Sequence, residues 1–341
     1  MRRSGWVLAG ALLAVCLVAT VAAAYNIGIY VPGVVAGSPL YEDMVAGVEM
    51  VAAENPDVTY KVFEAGFDQS TWEEAMVNMA ATEEYDLIVA SNGALPEVSM
   101  QAADAYPNQK FLFVDAVIAG DTQMYSALYN QVEQAGALGY LAGLVTQSDM
   151  AGATPDLKVG FIIGQEYAAQ ESMLFPGYEL GARLANSDIE VDFRVLGNWW
   201  DANKAAELAQ SMIDAGVDVI ATACGGANTG VITACEERGK YVLYLDKDNY
   251  ALSESIIGCS ALGQKQAVYE NVKAAIAGEL VWGEYEILGI ADGFVEFVDS
   301  NPLYEERVSA DVVAEFKVLL DDLRSAGDTW LKSQMVVPVY W

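Results

Sequence analysis

The chain contains no histidine in its 341 residues. That absence removes the commonest general base, the histidine-dependent serine and cysteine triads and most zinc sites, so hydrolytic chemistry is disfavoured. Basic residues are scarce: 17 Lys and Arg stand against 48 Asp and Glu, for a net charge of -31. A surface of that sign disfavours nucleic acid, anionic membranes and phosphate-bearing ligands. The acidic residues are scattered along the chain, which suits a solubilising surface in a saline habitat. Cysteine is rare, at Cys16, Cys224, Cys235 and Cys259, and none of the spacings is that of a metal site. The last three are odd in number, so at most one disulfide forms among thiols expected to be buried.

Long apolar runs are confined to the beginning of the chain. Arg2 and Arg3 precede an apolar stretch from Trp6 to Val21, and Ala22, Ala23 and Ala24 stand before Tyr25. This is the pattern of a secretory signal peptide over residues 1–24. A retained anchor would need roughly 20 apolar residues and usually a polar linker, whereas strand-like sequence begins at once here. Leu13-Ala14-Val15-Cys16 resembles a lipoprotein box, but Val15 fits poorly before the cysteine and the apolar run continues beyond it. Cleavage after Ala24 is therefore the expectation, with lipid anchoring through Cys16 as the alternative.

The length exceeds what one hydrophobic core accommodates, so two lobes are expected. From Tyr25 onward, β-branched and aromatic runs alternate with segments of helical period, the signature of parallel α/β units. Strands are predicted over 26–31, 59–64, 87–90 and 111–114, with helices near 41–54, 71–83 and 96–105. A second series follows, with strands over 158–163, 190–196, 217–221 and 241–245 and helices near 132–147, 170–185, 202–215 and 228–238. Beyond Asp246 come strands over 255–259 and 293–298 and helices over 262–277 and 311–324. Ser38-Pro39 reads as a helix start, Ser70 with Glu73 as a capping box, and Gly216 and Gly239 as helix ends.

The fold class is therefore α/β, with two doubly wound lobes joined by a hinge. Crossings are expected near 130, 250 and 300. They give a first lobe of 25–130 plus about 251–299, and a second of 131–250 plus about 300–341.

In open α/β sheets the ligand sits beyond the carboxyl ends of the strands, so site residues are sought just after them. Those loops offer Tyr30, Tyr41, Trp72, Trp199, Trp200 and Tyr250, with the carboxamides Asn92 and Asn249. Aromatic faces in a cleft favour a flat neutral ring, and core packing is the competing role for each. Of the adjacent Trp199 and Trp200, one is expected to face the cleft. Asp115 and Asp246 each end an apolar strand, where a carboxylate can accept hydrogen bonds from adjacent ligand hydroxyls or serve as a turn or cap. Lys265 falls in the first turn of a helix, as a cleft contact or a surface lysine. Gly225 to Gly230 follows a strand and opens a helix without a Walker lysine or dinucleotide spacing, which suits close backbone approach to a neutral ligand at Gly226.

Several stretches together carry a resemblance: Glu133 to Gly143, Lys158 to Gly164, Phe175 to Ala182, Gly216 to Ile220, Gly225 to Gly230 and Leu245 to Asn249. They resemble the basic membrane protein family of bacterial solute receptors, which includes purine nucleoside receptors of ABC importers and riboflavin receptors of spirochaetes. The resemblance implies a type I periplasmic-binding-protein fold, with Asp246 on ribose-like hydroxyls and Gly226 lining the pocket. It also implies an aromatic at Trp199 or Trp200 near the base, with Asp115 and Lys265 as further polar contacts. The partners implied are a small-molecule ligand and the membrane permease and ATPase, for a monomeric receptor without cofactor, metal or catalytic residue. Nucleoside receptors carry an Asp-x-Ser-Phe-Asn type segment in the first loop, where this chain has Ala36-Gly37-Ser38-Pro39-Leu40-Tyr41-Glu42. Riboflavin and purine nucleoside thus both stand as ligands.

Two other classes compete. A nucleoside hydrolase would need a tight aspartate cluster for calcium, and only Asp246 and Asp248 lie close together in the sequence. A ligand sensor for a signalling partner has the same sequence features as a transport receptor. A transcriptional regulator is disfavoured by the N-terminal segment and the lack of a basic helix-turn-helix.

Overall fold

The computed structural model describes residues 24–166, 170–327 and 333–335. The signal-peptide and Cys16 expectations lie outside these residues. Two six-stranded sheets organise the rest.

The first sheet begins with β1 (Tyr25–Val31), β2 (Val58–Glu64) and β3 (Leu87–Ser91), and continues with β4 (Lys110–Val114), β5 (Met124–Tyr129) and β11 (Tyr285–Leu288). Its order is β2-β1-β3-β4-β5-β11, and every pairing is parallel. The helices α1 (Pro39–Glu54), α2 (Trp72–Ala80) and α3 (Leu95–Ala105) fill the crossovers. Inner strands covered on both faces must be apolar throughout, and all of β3 is buried. At the edge, β2 is exposed along nearly its whole length.

The second sheet repeats this plan. It comprises β6 (Lys158–Ile163), β7 (Glu190–Val195), β8 (Val219–Ala223), β9 (Tyr241–Tyr244), β10 (Ile256–Leu262) and β12 (Val295–Phe297). The order is β7-β6-β8-β9-β10-β12, parallel except for the last, antiparallel pairing. Its helices are α4 (Gln131–Thr146), α5 (Phe175–Ala185), α6 (Ala202–Asp214) and α7 (Asn228–Glu237), followed by α9 (Pro302–Arg307) and α10 (Ala310–Arg324). The remaining helix, α8 (Gln264–Ala277), packs on α1 of the first sheet.

Helix α4 is buried all round except at Tyr140, as an apolar helix at the centre of a domain must be. It crosses α5 at backbone contact distance. Gly139 lies against the Tyr178 carbonyl, and Gly181 against the Gly136 carbonyl, so closely that neither position admits a Cβ without displacement.

The chain passes between the sheets three times: from β5 to α4, from β10 to α8 and from β11 to β12. Backbone bonds tie these passages together, Asn130 N–H donating to the Leu288 carbonyl at 2.8 Å and Gly263 N–H to the Phe294 carbonyl at 2.7 Å. The buried Glu133 accepts from Ile290 N–H at 2.8 Å. Tyr129 Oη donates to Gln264 Oε1 at 2.9 Å, and Gln264 Nε2 donates to Ser91 Oγ at 2.7 Å.

Several sequence expectations are corrected. The crossings expected near 250 and 300 fall at about 263 and 289–294, because β10 pairs with β9 and both β10 and β12 belong to the second sheet. Residues 251–299 are thus shared between the sheets instead of joining the first as a block. Strands β5 and β11 and helix α9 were not foreseen. Ser70 and Glu73 form no capping box at α2. Instead, Asp68 accepts from both the N–H and the hydroxyl of Ser70 and caps a short 3₁₀ turn. A π turn over Gln170–Leu174 precedes α5 where one continuous helix was expected. Cys224, Cys235 and Cys259 are all free and buried, and burial pushes each thiol up to about 12.

Candidate ligand-binding site

The strand order reverses at one place in each sheet, between β1 and β3 and between β6 and β8. A crevice opens beyond the carboxyl ends of the strands at such a switch point, because the crossovers on either side lead to opposite faces. Side chains at both switch points and at the neighbouring strand ends meet.

At the second sheet's switch point, Gly164 follows β6 and Gly225 opens the turn after β8. The Trp199 ring lies on Gly164 and also contacts Gly225, and a Cβ at Gly164 would collide with it. Its indole N–H donates to Gln165 Oε1 at 2.7 Å, and its carbonyl accepts from Ala227 N–H at 3.2 Å. Gly225 adopts φ +57, which favours glycine there. Gly226 is exposed in the same turn, and its carbonyl accepts from Thr229 Oγ1 at 3.1 Å.

Trp200 points elsewhere. It is 65% exposed, and its ring centroid stands 6.1 Å from that of Phe67, itself 50% exposed, in the loop after β2. Each ring comes from the edge-strand end of a different sheet. Phe67 and the half-buried Tyr41 both lie against Gly33 in the loop after β1. Asn92, just beyond β3, is half-buried, and its Oδ1 accepts from Ala94 N–H at 2.9 Å, closing the turn into α3.

Asp115 and Asp246 follow β4 and β9, and both hold left-handed backbone, φ 58 and 74, which aspartate tolerates better than most residues. Helix α4 reaches both. Gln131 Nε2 donates to Asp115 Oδ1 at 3.2 Å, and Gln134 Nε2 donates to Asp246 Oδ1 at 2.9 Å and to Ser260 Oγ at 3.0 Å. Burial raises the Asp115 carboxyl to about 8, with the Asp246 charge adding to the effect. Burial also raises Asp246, opposed by its bond from Gln134. Neither acid makes an ion pair among the described residues. The pair has no balancing positive charge, and near neutrality the raised Asp115 is largely a carboxylic acid that can donate as well as accept hydrogen bonds.

The other expected site residues are distributed as follows. Trp72 is buried at 3% exposure in the core of the first sheet, with its N–H on the Gly66 carbonyl at 2.8 Å. It supports the loop carrying Phe67 and does not face a cleft. Tyr30 donates to the Trp72 carbonyl, and Tyr250 bonds the Val298 carbonyl and Cys259 N–H, so both are core residues too. Apolar burial outweighed their position near strand ends. Asn249 is half-buried beside Tyr244, which it and Asn228 both hydrogen-bond. Lys265 is exposed in the first turn of α8, while its neighbour Gln264 takes the buried place.

Sequence reading missed Gln131, Gln134 and Phe67. The two glutamines carried a legible signal: polar residues three apart in the first turn of an otherwise apolar helix need buried partners. Phe67 carried the same signal as Tyr41 and Trp199, an aromatic in the loop just after a strand.

Among the described residues, no helix is long and apolar enough to cross a membrane, and no group of acidic or cysteine side chains is arranged to hold a metal ion.

Comparison with known proteins agrees with this architecture. A solute-binding protein of an ABC transporter system from Aeropyrum pernix K1 superposes with a TM-score of 0.70 over 92% of this chain and 94% of that one, at 20% identity. The ABC transporter nucleoside-binding protein BmpA of Lactococcus lactis subsp. cremoris is 33% identical over 46% of this chain and 42% of its own length. Basic membrane protein B of Borreliella afzelii is 27% identical over 61% of each chain, so these alignments span roughly half of the curated relatives. The model of the Bmp family, described as ABC transporter substrate-binding protein PnrA-like, matches residues 24–324. With nearly all of the described chain matched, this protein belongs to the Bmp family of PnrA-like ABC transporter substrate-binding proteins.

Proposed function

We propose that this protein captures a flat heteroaromatic ligand bearing ribose or ribityl hydroxyls, a purine nucleoside or riboflavin, and delivers it outside the cytoplasm to an ABC permease and its ATPase. The observation that carries this reading is the joining of Asp115 and Asp246, from different sheets, by one turn of α4. Adjacent hydroxyls can both donate to and accept from such a pair, and Tyr41, Phe67, Trp199 and Trp200 offer aromatic surface for a ring. Ligand bridging both sides favours the closed arrangement through its differential contacts, and the permease recognises that form. The receptor acts as a monomer and performs no catalysis. Export by the N-terminal segment is consistent with this role. The relative described as nucleoside-binding supports the nucleoside branch.

Titration of the purified chain with inosine and with riboflavin tests the reading. Binding appears as heat for either ligand and as quenched flavin fluorescence for riboflavin. Absence of both signals refutes it. In a chain that binds, Asp246→Ala is expected to weaken affinity by about 1.5–3 kcal/mol, the range for hydrogen bonds to a charged acceptor. Unchanged affinity removes Asp246 from the site.

A further inference from the structure

The first turn of α4 and the residue before it carry four polar side chains, Asn130, Gln131, Glu133 and Gln134, all at most 9% exposed. Two serve the passages between the sheets. Asn130 accepts from Glu133 N–H at 3.2 Å and donates to the Met335 carbonyl at 3.2 Å, while Glu133 takes Ile290 N–H. The other two donate to the site acids and are only half-satisfied. Gln131 Oε1 and Gln134 Oε1 are buried acceptors without a protein partner. In each, the amide nitrogen donates to a site aspartate, Gln131 to Asp115 and Gln134 to Asp246, which turns the oxygen away from that acid. Gln134 spends both N–H groups, on Asp246 and Ser260, which fixes its oxygen in place. Each unpartnered oxygen therefore sits one amide width from a site acid, and the two glutamines share one helix face. A buried acceptor left empty is costly, and native proteins rarely keep two side by side without a use.

We propose that Gln131 and Gln134 are ligand-binding residues, their side-chain oxygens accepting hydrogen bonds from adjacent ligand hydroxyls alongside the aspartates they hold. This rests on the hydroxyl-bearing ligand proposed above. The site then reads a polyhydroxyl group with acceptors from a single rigid helix turn and from both sheets. A ligand with one isolated hydroxyl leaves most of them empty, so vicinal hydroxyls are what the site selects.

A double-mutant cycle by calorimetry separates direct contact from mere support of the aspartates. The probes are inosine, riboflavin and 2′,3′-dideoxyinosine. In the Asp246→Ala background Gln134 has no site acid left to position. Adding Gln134→Met there is expected to cost a further loss of about tenfold for the hydroxyl-bearing probe, the size of one hydrogen bond. Gln134→Glu, which keeps an acceptor, is expected to cost little in the same background. Gln131→Met in the Asp115→Ala background gives the parallel result in the first sheet, and serves if one variant fails to fold. Dideoxyinosine is expected to bind weakly to the wild type and to be indifferent to the glutamine changes. If the methionine variants add no loss to the alanine backgrounds, or if methionine and glutamate behave alike, the proposal is overturned while the ligand reading stands. If the wild type binds neither inosine nor riboflavin, both fall together.

Discussion

Asp115→Asn isolates the electrostatics of the site. The substitution keeps the shape, the left-handed backbone and an oxygen for Gln131 to donate to, and removes only the ionisable proton. In the folded chain the Asp115 carboxyl titrates at about 8, whereas an unfolded aspartate titrates at about 3.9. Between those values the native state binds one proton more than the unfolded chain, so stability falls as pH rises, by about 1.4 kcal/mol per pH unit. From about pH 5 to about pH 7 this amounts to about 2–3 kcal/mol, and about half that once solvent at this half-buried position is allowed for. Asp218, whose carboxyl burial also raises, contributes equally to wild type and variant and cancels in the difference, whereas Asp246 is coupled to Asp115 and its response is read together with it. Urea denaturation of both proteins at intervals across that range is the assay. The wild type is expected to lose stability relative to Asp115→Asn as pH rises, with the gap levelling off above about pH 8. Parallel stability curves would refute an Asp115 carboxyl raised by desolvation, and with it the account of the site as a carboxyl pair lacking positive charge.

Two further expectations concern packing and the rim. Gly139→Ala drives a methyl into the Tyr178 carbonyl of the neighbouring helix and should cost about 1–3 kcal/mol, read as a lower urea midpoint; an unaltered midpoint shows that α4 and α5 can move apart freely. Phe67→Ala and Trp200→Ala each remove one ring of the pair spanning the two sheets, worth about 0.5–1.5 kcal/mol, and should speed dissociation of the bound probe about 2- to 10-fold in stopped flow. Release at the wild-type rate would make that contact incidental to closure.

Local physics determined much of this protein in advance. The alternation of apolar runs with helical segments named the α/β class and located most elements within a few residues, because burial on both faces forces continuous apolar strands. Asp115 and Asp246 were legible as carboxylates ending such strands, and the lack of histidine argued against catalysis before any geometry was known. Which sheet a strand joins is a long-range matter: β10 pairs with β9, and β11 crosses back to β5, for reasons of register and packing that no local window contains. β5 escaped notice because Ser126 breaks the apolar run that marked its neighbours. Tertiary structure also sorted the aromatics, burying Trp72, Tyr30 and Tyr250 in cores while leaving Trp200 to meet Phe67 from the other sheet. The joining of the two aspartates through Gln131 and Gln134 could be decided only there, since it requires both sheets to present their strand ends to the same turn of one helix.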